Sequence, residues 1–180
     1  MAGPAAAPRD NEGMTAQSDE VDRIVEAWIT QRPDLDFSPL GVLSRVDRLS
    51  RHLDRARRDA FRRSELEPWE WDVLSALRRA GEPFQLSPKQ LLQQTLVSSG
   101  TMTNRIDRLV GRRLVRREAD PDDGRSVLVT LTDEGRIRVD AAITRLVDAE
   151  ALLLESLSRA DRDRLAALLR KLSLGFDSAD

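Results

Sequence analysis

The spacing of apolar residues predicts that the chain is built mainly from helices. From about Ser18 onward, apolar side chains recur every three or four positions, which places them on one face of a helix. Pro33 ends the first of these segments. A long helix is predicted from Ser38, whose hydroxyl can cap it, to about Arg63, and a third helix from Pro68, because proline fits the first turn of a helix. The buried side of the third helix is predicted to carry Trp69, Val73, Leu74 and Leu77.

Two short helices come next, and each is introduced by a serine that can cap its N-terminus. Ser87 precedes the first and Ser98 begins the second. In the second helix Met102, Ile106 and Leu109 are spaced for a single inward face. A tight turn of a few residues joins the two helices.

After Gly111 the apolar period changes from helical to alternating. Residues 114–118 and 126–131 are predicted to form two strands. The residues between them, 120–125, are dense in turn formers, so the pair is predicted to be a hairpin. The predicted fold class is therefore mainly α with a small β-hairpin, in the layout of a winged helix-turn-helix.

The second short helix carries the polar side chains that a DNA-reading helix needs. Such a helix enters the major groove by its N-terminal end, and an asparagine such as Asn104 can pair with adenine. Serine, threonine and glycine are also typical of an ordinary helix cap, and this segment alone leaves both interpretations open. The side chains predicted on its polar or exposed part are Ser98, Ser99, Thr101, Thr103, Asn104 and Arg108.

Local charge favours DNA binding, although the whole chain has a net charge of only -2. Arginines crowd the second short helix and the hairpin, and Arg125 at the hairpin tip is placed to enter a minor groove. Asp122 and Asp123 are predicted to orient Arg125 and shape the turn. The arginines of the long helix are most simply a solvated face. The predicted DNA-contacting set is Ser87, Lys89, Ser98, Ser99, Thr101, Thr103, Asn104, Arg108, Arg113, Arg117, Asp123 and Arg125.

The stretch from Leu91 to Arg136 resembles regulators of the MarR family. The resemblance rests on a specific frame of residues: Asp107-Arg108-Leu109, Leu114-Val115, Arg117, Pro121, Asp123, Arg125, Val129, Leu131-Thr132 and Gly135. One departure is Arg113, where many members have glycine. The resemblance implies a homodimer that binds a palindromic site and usually represses nearby genes.

Dimerisation is also expected from the residues, because one recognition helix reads only a few base pairs and a two-fold pair doubles that number. Thr132 and Ser158 are predicted to cap two leucine-rich helices, with Gly175 past the end of the second. The predicted organisation is a flexible tail at 1–17, a single domain at 18–174 with its winged helix-turn-helix at about 66–131 and dimerisation helices at about 18–63 and 132–174, and a tail at 175–180.

A possible effector site comes from a further resemblance. Some family members have an extra N-terminal helix with a tryptophan and respond to urate or to small organic acids. By that resemblance the ligand-sensing positions are Trp28, Asp72, Arg79 and Arg105, and an aromatic wall with arginines suits urate or a tricarboxylic acid. The hypothesis is that an anion separates Asp72 from Arg105 and weakens DNA binding. The alternative is that Trp28 is dimer packing and Asp72 simply pairs with Arg105 or Arg79.

Other classes of function find little support in the sequence. Without cysteine and with His52 as its one histidine, the chain offers no disulfide and no clustered metal site. No phosphate-binding glycine loop and no nucleophile with a plausible base occurs, so neither catalysis nor a cofactor is predicted. No run of about 18 apolar residues occurs, so no membrane association and a cytoplasmic location are expected. The alternative function is a helical protein-interaction module without DNA binding, which accounts for the leucine stripes but not for the arginine-rich hairpin.

Overall fold

The computed structural model describes residues 18–95, 97–121 and 126–177. The predicted tail at 1–17 and the hairpin tip with Asp122, Asp123 and Arg125 lie outside the described residues. The contacts divide the described residues into two compact units, one within 1–51 and the other within 52–180. The elements are α1 (Glu20–Gln31), α2 (Ser38–Arg62), α3 (Pro68–Arg79), β1 (Gln85–Leu86), α4 (Pro88–Thr95), α5 (Ser99–Gly111), β2 (Val115–Ala119), β3 (Val127–Leu131), α6 (Asp133–Leu153) and α7 (Arg159–Asp177).

In the first unit, α1 and the beginning of α2 are joined by ion pairs. Asp19 caps α1 and forms a capping box with Asp22. Arg45 of α2 binds both carboxylates, at 2.9 Å from Asp19 and 2.6 Å from Asp22, and Arg48 lies 2.7 Å from Glu20. Both arginines remain partly exposed, so these surface ion pairs are compatible with the predicted solvated face of α2.

The start of α2 also differs in detail from the prediction. The hydroxyl of Ser38 donates to Asp36 instead of accepting from the helix, and the backbone N–H of Ser38 donates to the other oxygen of Asp36 at 2.9 Å. A carboxylate at this place is a stronger acceptor than a hydroxyl and also suits the positive end of the helix dipole.

The core of the second unit confirms the predicted inward faces. Met102, Ile106 and Leu109 of α5 are fully buried, and so are Val73 and Leu74 of α3. Trp69 was expected on the same buried side of α3, but it is only partly buried at the edge of the core. Its ring lies under two arginines of α5, Arg105 and Arg108.

The hairpin is confirmed and belongs to a three-stranded antiparallel sheet with β3 in the centre. Val115 pairs with Leu131 at one end of β2 and Ala119 with Val127 at the other. The third strand, β1, was not predicted, because two residues are too few to show an alternating pattern. It pairs with β3 through Gln85 and Thr130.

The junction between the sheet and α6 is tightly built. Thr132 caps α6 as predicted, since its hydroxyl oxygen accepts from the N–H of Gly135 at 3.0 Å. The backbone N–H of Thr132 donates to the carbonyl of Leu114 at 3.1 Å, and its hydroxyl lies 3.0 Å from the same oxygen. The first turn of α6 is therefore held directly against the chain that leads into β2.

The last helix is longer than predicted. It runs to Asp177, so Gly175 lies inside α7 and not past its end. A helix interior tolerates a glycine at a cost of only about 1 kcal/mol relative to alanine, so Gly175 does not by itself stop the helix. Among the described residues no helix is both long and apolar enough to cross a membrane.

Candidate nucleic-acid interface

The N-terminus of α5 is shaped by a cap, as predicted from Ser98. The hydroxyl oxygen of Ser98 accepts from the N–H of Thr101 at 3.4 Å, and the two hydroxyls lie 2.9 Å apart. The hydroxyl of Thr103 donates to the carbonyl of Ser99 at 3.1 Å. Three of the small polar side chains are thus engaged locally, so capping accounts for part of this segment.

Two further polar side chains of α5, Asn104 and Arg108, are exposed and have no hydrogen-bond or ion-pair partner in the described part of the chain. Asn104 is exposed, and its amide has no hydrogen-bond partner in the described part of the chain. Arg108 is exposed one turn later on the same face and has no carboxylate partner there either. Because a free amide and a free guanidinium are the groups that read base edges and phosphates, this face has the chemistry for DNA contact.

Several arginines around α5 are paired with carboxylates, so this surface carries less unpaired positive charge than their number suggests. Arg116 lies 2.9 Å from Glu118, and Arg117 lies 2.7 Å from Asp107. Arg112 pairs with the buried Glu70. All three arginines were predicted to be free charge; the partners of Arg112 and Arg117 lie on other elements, whereas Glu118 lies two residues from Arg116 on the same face of β2.

Arg113 is the exception in the turn between α5 and β2. It is exposed, it has no ion pair among the described residues, and its φ of 61° lies in the left-handed region. That backbone conformation favours glycine, which is the residue that many members of the resembled family have here. The departure in sequence therefore adds a free positive charge at the cost of local strain.

Two predicted DNA-contacting residues, Ser87 and Lys89, lie at the start of α4, the first of the two short helices. One is engaged in a cap and the other is free of an ion pair in the described chain. The hydroxyl oxygen of Ser87 accepts from the N–H of Gln90 at 3.3 Å, and the side chain of Gln90 accepts from the N–H of Ser87 at 2.8 Å. Ser87 is thus half of a reciprocal cap. Lys89 is exposed and has no ion pair in the described part of the chain.

A buried ion pair holds the C-terminal end of α5 to α3. The side chain of Glu70 is 1% exposed. One of its oxygens accepts from Arg112 and also from the N–H of Glu67, the latter at 2.9 Å. Arg112 donates in addition to the carbonyl of Glu65 at 2.8 Å. Glu70 was not predicted from the sequence, although its place three residues after Glu67 is that of a capping-box side chain.

Three of the four predicted sensor residues lie close to one another in the second unit. A guanidinium nitrogen of Arg105 lies 3.9 Å from the Asp72 carboxylate, and the same nitrogen is buried without a hydrogen bond. Burial raises the pKa of the Asp72 carboxyl, while the charges of Arg105 and Arg79 act to lower it. Arg79 donates to the hydroxyl of Ser75 at 3.1 Å.

The fourth predicted sensor residue, Trp28, belongs to the first unit. It stacks on Phe37 with ring centroids 6.1 Å apart, and it is half-exposed. Together with apolar residues of the turn and of α2 it lines a shallow cleft. The Trp28 side chain is therefore not enclosed in a hydrophobic core within its own unit.

Two clefts of the second unit meet at Asp72. The larger, of about 450 Å³, is lined by Phe61 and Trp71 and by Arg57 and Arg58, among other residues. Phe61 and Trp71 stack with centroids 4.9 Å apart. The smaller cleft, of about 300 Å³, is lined by Trp71, Asp72, Ser75, Arg79, Gln94 and Thr95. Aromatic faces next to arginines suit a flat anion.

The fold and this surface define a winged helix-turn-helix DNA-binding protein. Residues 64–126 match the model of the MarR family. The chain is 36% identical to the transcriptional regulator PecS of Dickeya dadantii over 153 residues, which cover 85% of this chain and 92% of PecS. The chain belongs to the MarR family, and it is a DNA-binding transcriptional regulator.

Solved structures agree with this assignment. A single-residue mutant of Escherichia coli MarR in complex with operator DNA matches with a TM-score of 0.62 at 26% identity, covering 86% of this chain and 99% of that one. A structure concerned with regulation of DNA binding of Bordetella bronchiseptica BpsR by 6-hydroxynicotinic acid matches with a TM-score of 0.55 at 30% identity, covering 71% and 92%. Dimerisation through terminal helices is typical of the family.

Proposed function

We propose that the protein is a repressor that binds a palindromic operator as a homodimer and is released from it by a small anion. The observation that supports this best is the outward face of α5, where Asn104 and Arg108 have no carboxylate or hydrogen-bond partner among the described residues. The capped N-terminus of α5 adds the positive end of a helix dipole. No catalytic activity belongs to the proposal, and a cytoplasmic location follows from the need to meet DNA.

The proposed DNA contacts fall into two groups. Asn104, Ser99, Thr101 and Thr103 read base edges, and the charged residues Lys89, Arg108, Arg113 and Arg117 bind phosphates together with the capping serines Ser87 and Ser98. Arg117 must share its charge with Asp107, so we expect it to contribute less than Arg108 or Arg113. Asp123 and Arg125 remain predictions from the sequence alone.

The proposed dimer surface uses the helices that flank the winged helix-turn-helix. Several large apolar side chains of α6 and α7 are exposed in the described chain, as an interface would require: Ile137, Ile143, Val147, Leu152, Leu168, Leu169, Leu172 and Phe176. A two-fold dimer would present two copies of α5 to two half-sites, which supports a palindromic operator.

Asn104→Ala is expected to relax sequence preference by about 1–3 kcal/mol at one position of each half-site, because a paired contact to adenine is lost. Selection from a random DNA pool measures the preference. Because Asn104 is uncharged, the salt dependence of binding should stay as steep as in the wild type.

Thr144→Ala is a suitable control, since Thr144 is exposed on α6, outside the winged helix-turn-helix. If Asn104→Ala selects the same sequences as the wild type, the reading face is misplaced. If the wild type binds no DNA, or binds it without salt dependence, the proposed function fails and the alternative of a protein-interaction module is favoured.

The proposed effector site lies at Asp72, where the two clefts of the second unit meet. An anion that binds beside Arg105 and Arg79 competes with the Asp72 carboxylate for the guanidinium of Arg105. The 3.9 Å separation of Arg105 and Asp72 and the unsatisfied nitrogen of Arg105 support this view, because a better acceptor would satisfy that nitrogen. Trp28 belongs to the first unit, and its part in ligand sensing stays a prediction from the resemblance.

Asp72→Asn is expected to lower the DNA affinity of the effector-free protein by about fivefold and to reduce the further loss when effector is added. The reason is that Arg105 loses the charge that holds it, so the recognition helix already resembles its released state. Gel-shift titrations with urate, citrate, aconitate and 6-hydroxynicotinic acid measure both effects.

Asp140→Asn provides a matched control. Asp140 lies 2.8 Å from Arg78 in another ion pair of α3, away from α5. We expect this variant to respond to effectors like the wild type. Wild-type behaviour of Asp72→Asn would assign Asp72 to packing, and indifference of the wild type to all four anions would remove the proposed ligand class.

A further inference from the structure

Trp69 lies beside the reading face of α5, although it belongs to α3 and is absent from the predicted DNA-contacting set. It follows Pro68 in the first turn of α3. It lines a cleft of about 470 Å³ together with Gly100, Thr101, Asn104, Arg105 and Arg108. The other residues of this cleft all come from α5, so the indole forms a wall along the helix that carries Asn104.

The indole supports the two arginines of α5 to different extents. The central guanidinium carbon of Arg108 lies 4.5 Å from the ring centroid, and that of Arg105 lies 5.9 Å away. A cation over the face of a tryptophan is attracted within about 6 Å, and the attraction is strongest at close range. Trp69 therefore holds Arg108 more firmly than Arg105, which also has Asp72 as a partner.

Stacking holds the arginine and leaves its hydrogen-bonding edge available. The N–H groups of a guanidinium lie in its plane, so an aromatic ring can cover the face while a phosphate or a guanine binds the edge. A carboxylate partner would occupy that edge instead. Arg108 has the aromatic partner and, within the described ranges, no carboxylate.

We propose that Trp69 is a positioning residue for DNA recognition, which holds the guanidinium of Arg108 over its ring so that the edge faces DNA next to Asn104. Asn104 and Arg108 are four residues apart and share one helical face. An arginine that is already held loses less side-chain entropy on binding, so more of its contact energy appears as affinity and specificity. This inference rests on the proposed role of α5 in reading DNA.

A purely structural role for Trp69 makes a different prediction. The ring also packs against the edge of the hydrophobic core. If packing were its whole contribution, any apolar side chain of suitable size would preserve DNA binding. An aromatic ring is required only if the attraction between the ring and the cation matters, so Trp69→Phe and Trp69→Leu separate the two roles.

The experiment measures the affinity of the full chain for its selected operator and for a scrambled duplex, in Trp69→Phe, Trp69→Leu, Arg108→Ala and the double variant Trp69→Leu with Arg108→Ala. We expect Trp69→Leu to reduce operator affinity about two- to fivefold, as one exposed cation–π contact implies. Trp69→Phe should keep most of the affinity. Arg108→Ala should remove the effect, so the double variant should bind like Arg108→Ala alone.

Two controls distinguish a folding defect from a loss of the positioning of Arg108. Thermal unfolding identifies variants that are destabilised. Phe84→Leu removes a ring that lies under Arg78 of α3, whose guanidinium carbon is 4.9 Å from the ring centroid, and not under an arginine of α5, so we expect it to keep the wild-type ratio of operator to scrambled-duplex affinity. Equal affinities of Trp69→Leu and Trp69→Phe, or losses that add in the double variant, would overturn the proposal for Trp69.

The proposed role of α5 can fail separately. If Arg108→Ala and Asn104→Ala both bind the operator like the wild type, α5 does not read DNA and both proposals are overturned. If those two variants lose affinity or specificity while Trp69→Leu keeps both, the role of α5 stands and only the inference about Trp69 is wrong.

Discussion

Gly135→Ala is expected to destabilise the protein by about 3 kcal/mol, at the upper end of what overpacking typically costs, because the backbone itself must move. A Cβ at Gly135 would lie less than 3.0 Å from the carbonyl oxygen of Leu114 and 2.9 Å from a methyl group of Leu131. The carbonyl cannot move freely, since it already accepts hydrogen bonds from Thr132. Urea denaturation measures the loss as a lower midpoint at an unchanged slope.

Gly111→Ala is the matched control for this prediction. Gly111 is the last residue of α5, and a Cβ there meets no atom within 4 Å. Because alanine restricts the unfolded chain, we expect this variant to be as stable as the wild type or slightly more stable. If Gly135→Ala unfolded at the same urea concentration as Gly111→Ala, the close packing of α6 on Leu114 would be refuted.

Glu70→Ala is expected to cost about 3 kcal/mol, at the lower end of what removing one partner of a buried ion pair costs. The lower end applies because Arg112 is 38% exposed and can recover water when its partner is lost. The substitution also leaves the N–H of Glu67 without its side-chain acceptor. The free energy of unfolding from urea denaturation checks the value.

Glu70→Gln separates the two contributions of this side chain. The amide oxygen can still accept from the N–H of Glu67, so only the charge on Arg112 is left unpaired, and we expect a loss of about half that of alanine. A second Arg112→Ala substitution should add less to Glu70→Ala than it costs alone. Wild-type stability of Glu70→Gln would show that the ion pair contributes nothing.

These two contacts bear on function because they set the position of α5. The Glu70–Arg112 pair holds the C-terminal end of α5 to α3, and the packing at Gly135 holds the strand that follows α5 against α6. We therefore expect partly destabilised variants at either position to lose operator specificity before they lose all affinity, since phosphate attraction survives small shifts of the helix.

The sequence predicted the elements that depend on local interactions. Pro68, Ser87, Ser98 and Thr132 mark helix starts because proline and capping hydroxyls act within one turn. The inward face of α5 followed from its apolar period, and the family frame included Gly135. The frame did not say why a glycine is needed there, and the two-residue strand β1 had no periodic signal.

Which charges are free, and which surfaces are available, depended on the tertiary structure. Glu70 and Arg112 are 42 positions apart, so no local pattern connects them. The same holds for Trp69 and Arg108: Trp69 was expected on the buried side of α3, and in the structure its ring lies under the guanidinium of Arg108.

The sequence by itself therefore determined the helices, the hairpin, the inward face of α5 and the resemblance to the MarR family, because hydrophobic period and capping are properties of neighbouring residues. Only the tertiary structure decided that Arg108 and Arg113 are the arginines near α5 left without a carboxylate in the described chain, because an ion pair forms wherever folding brings opposite charges together.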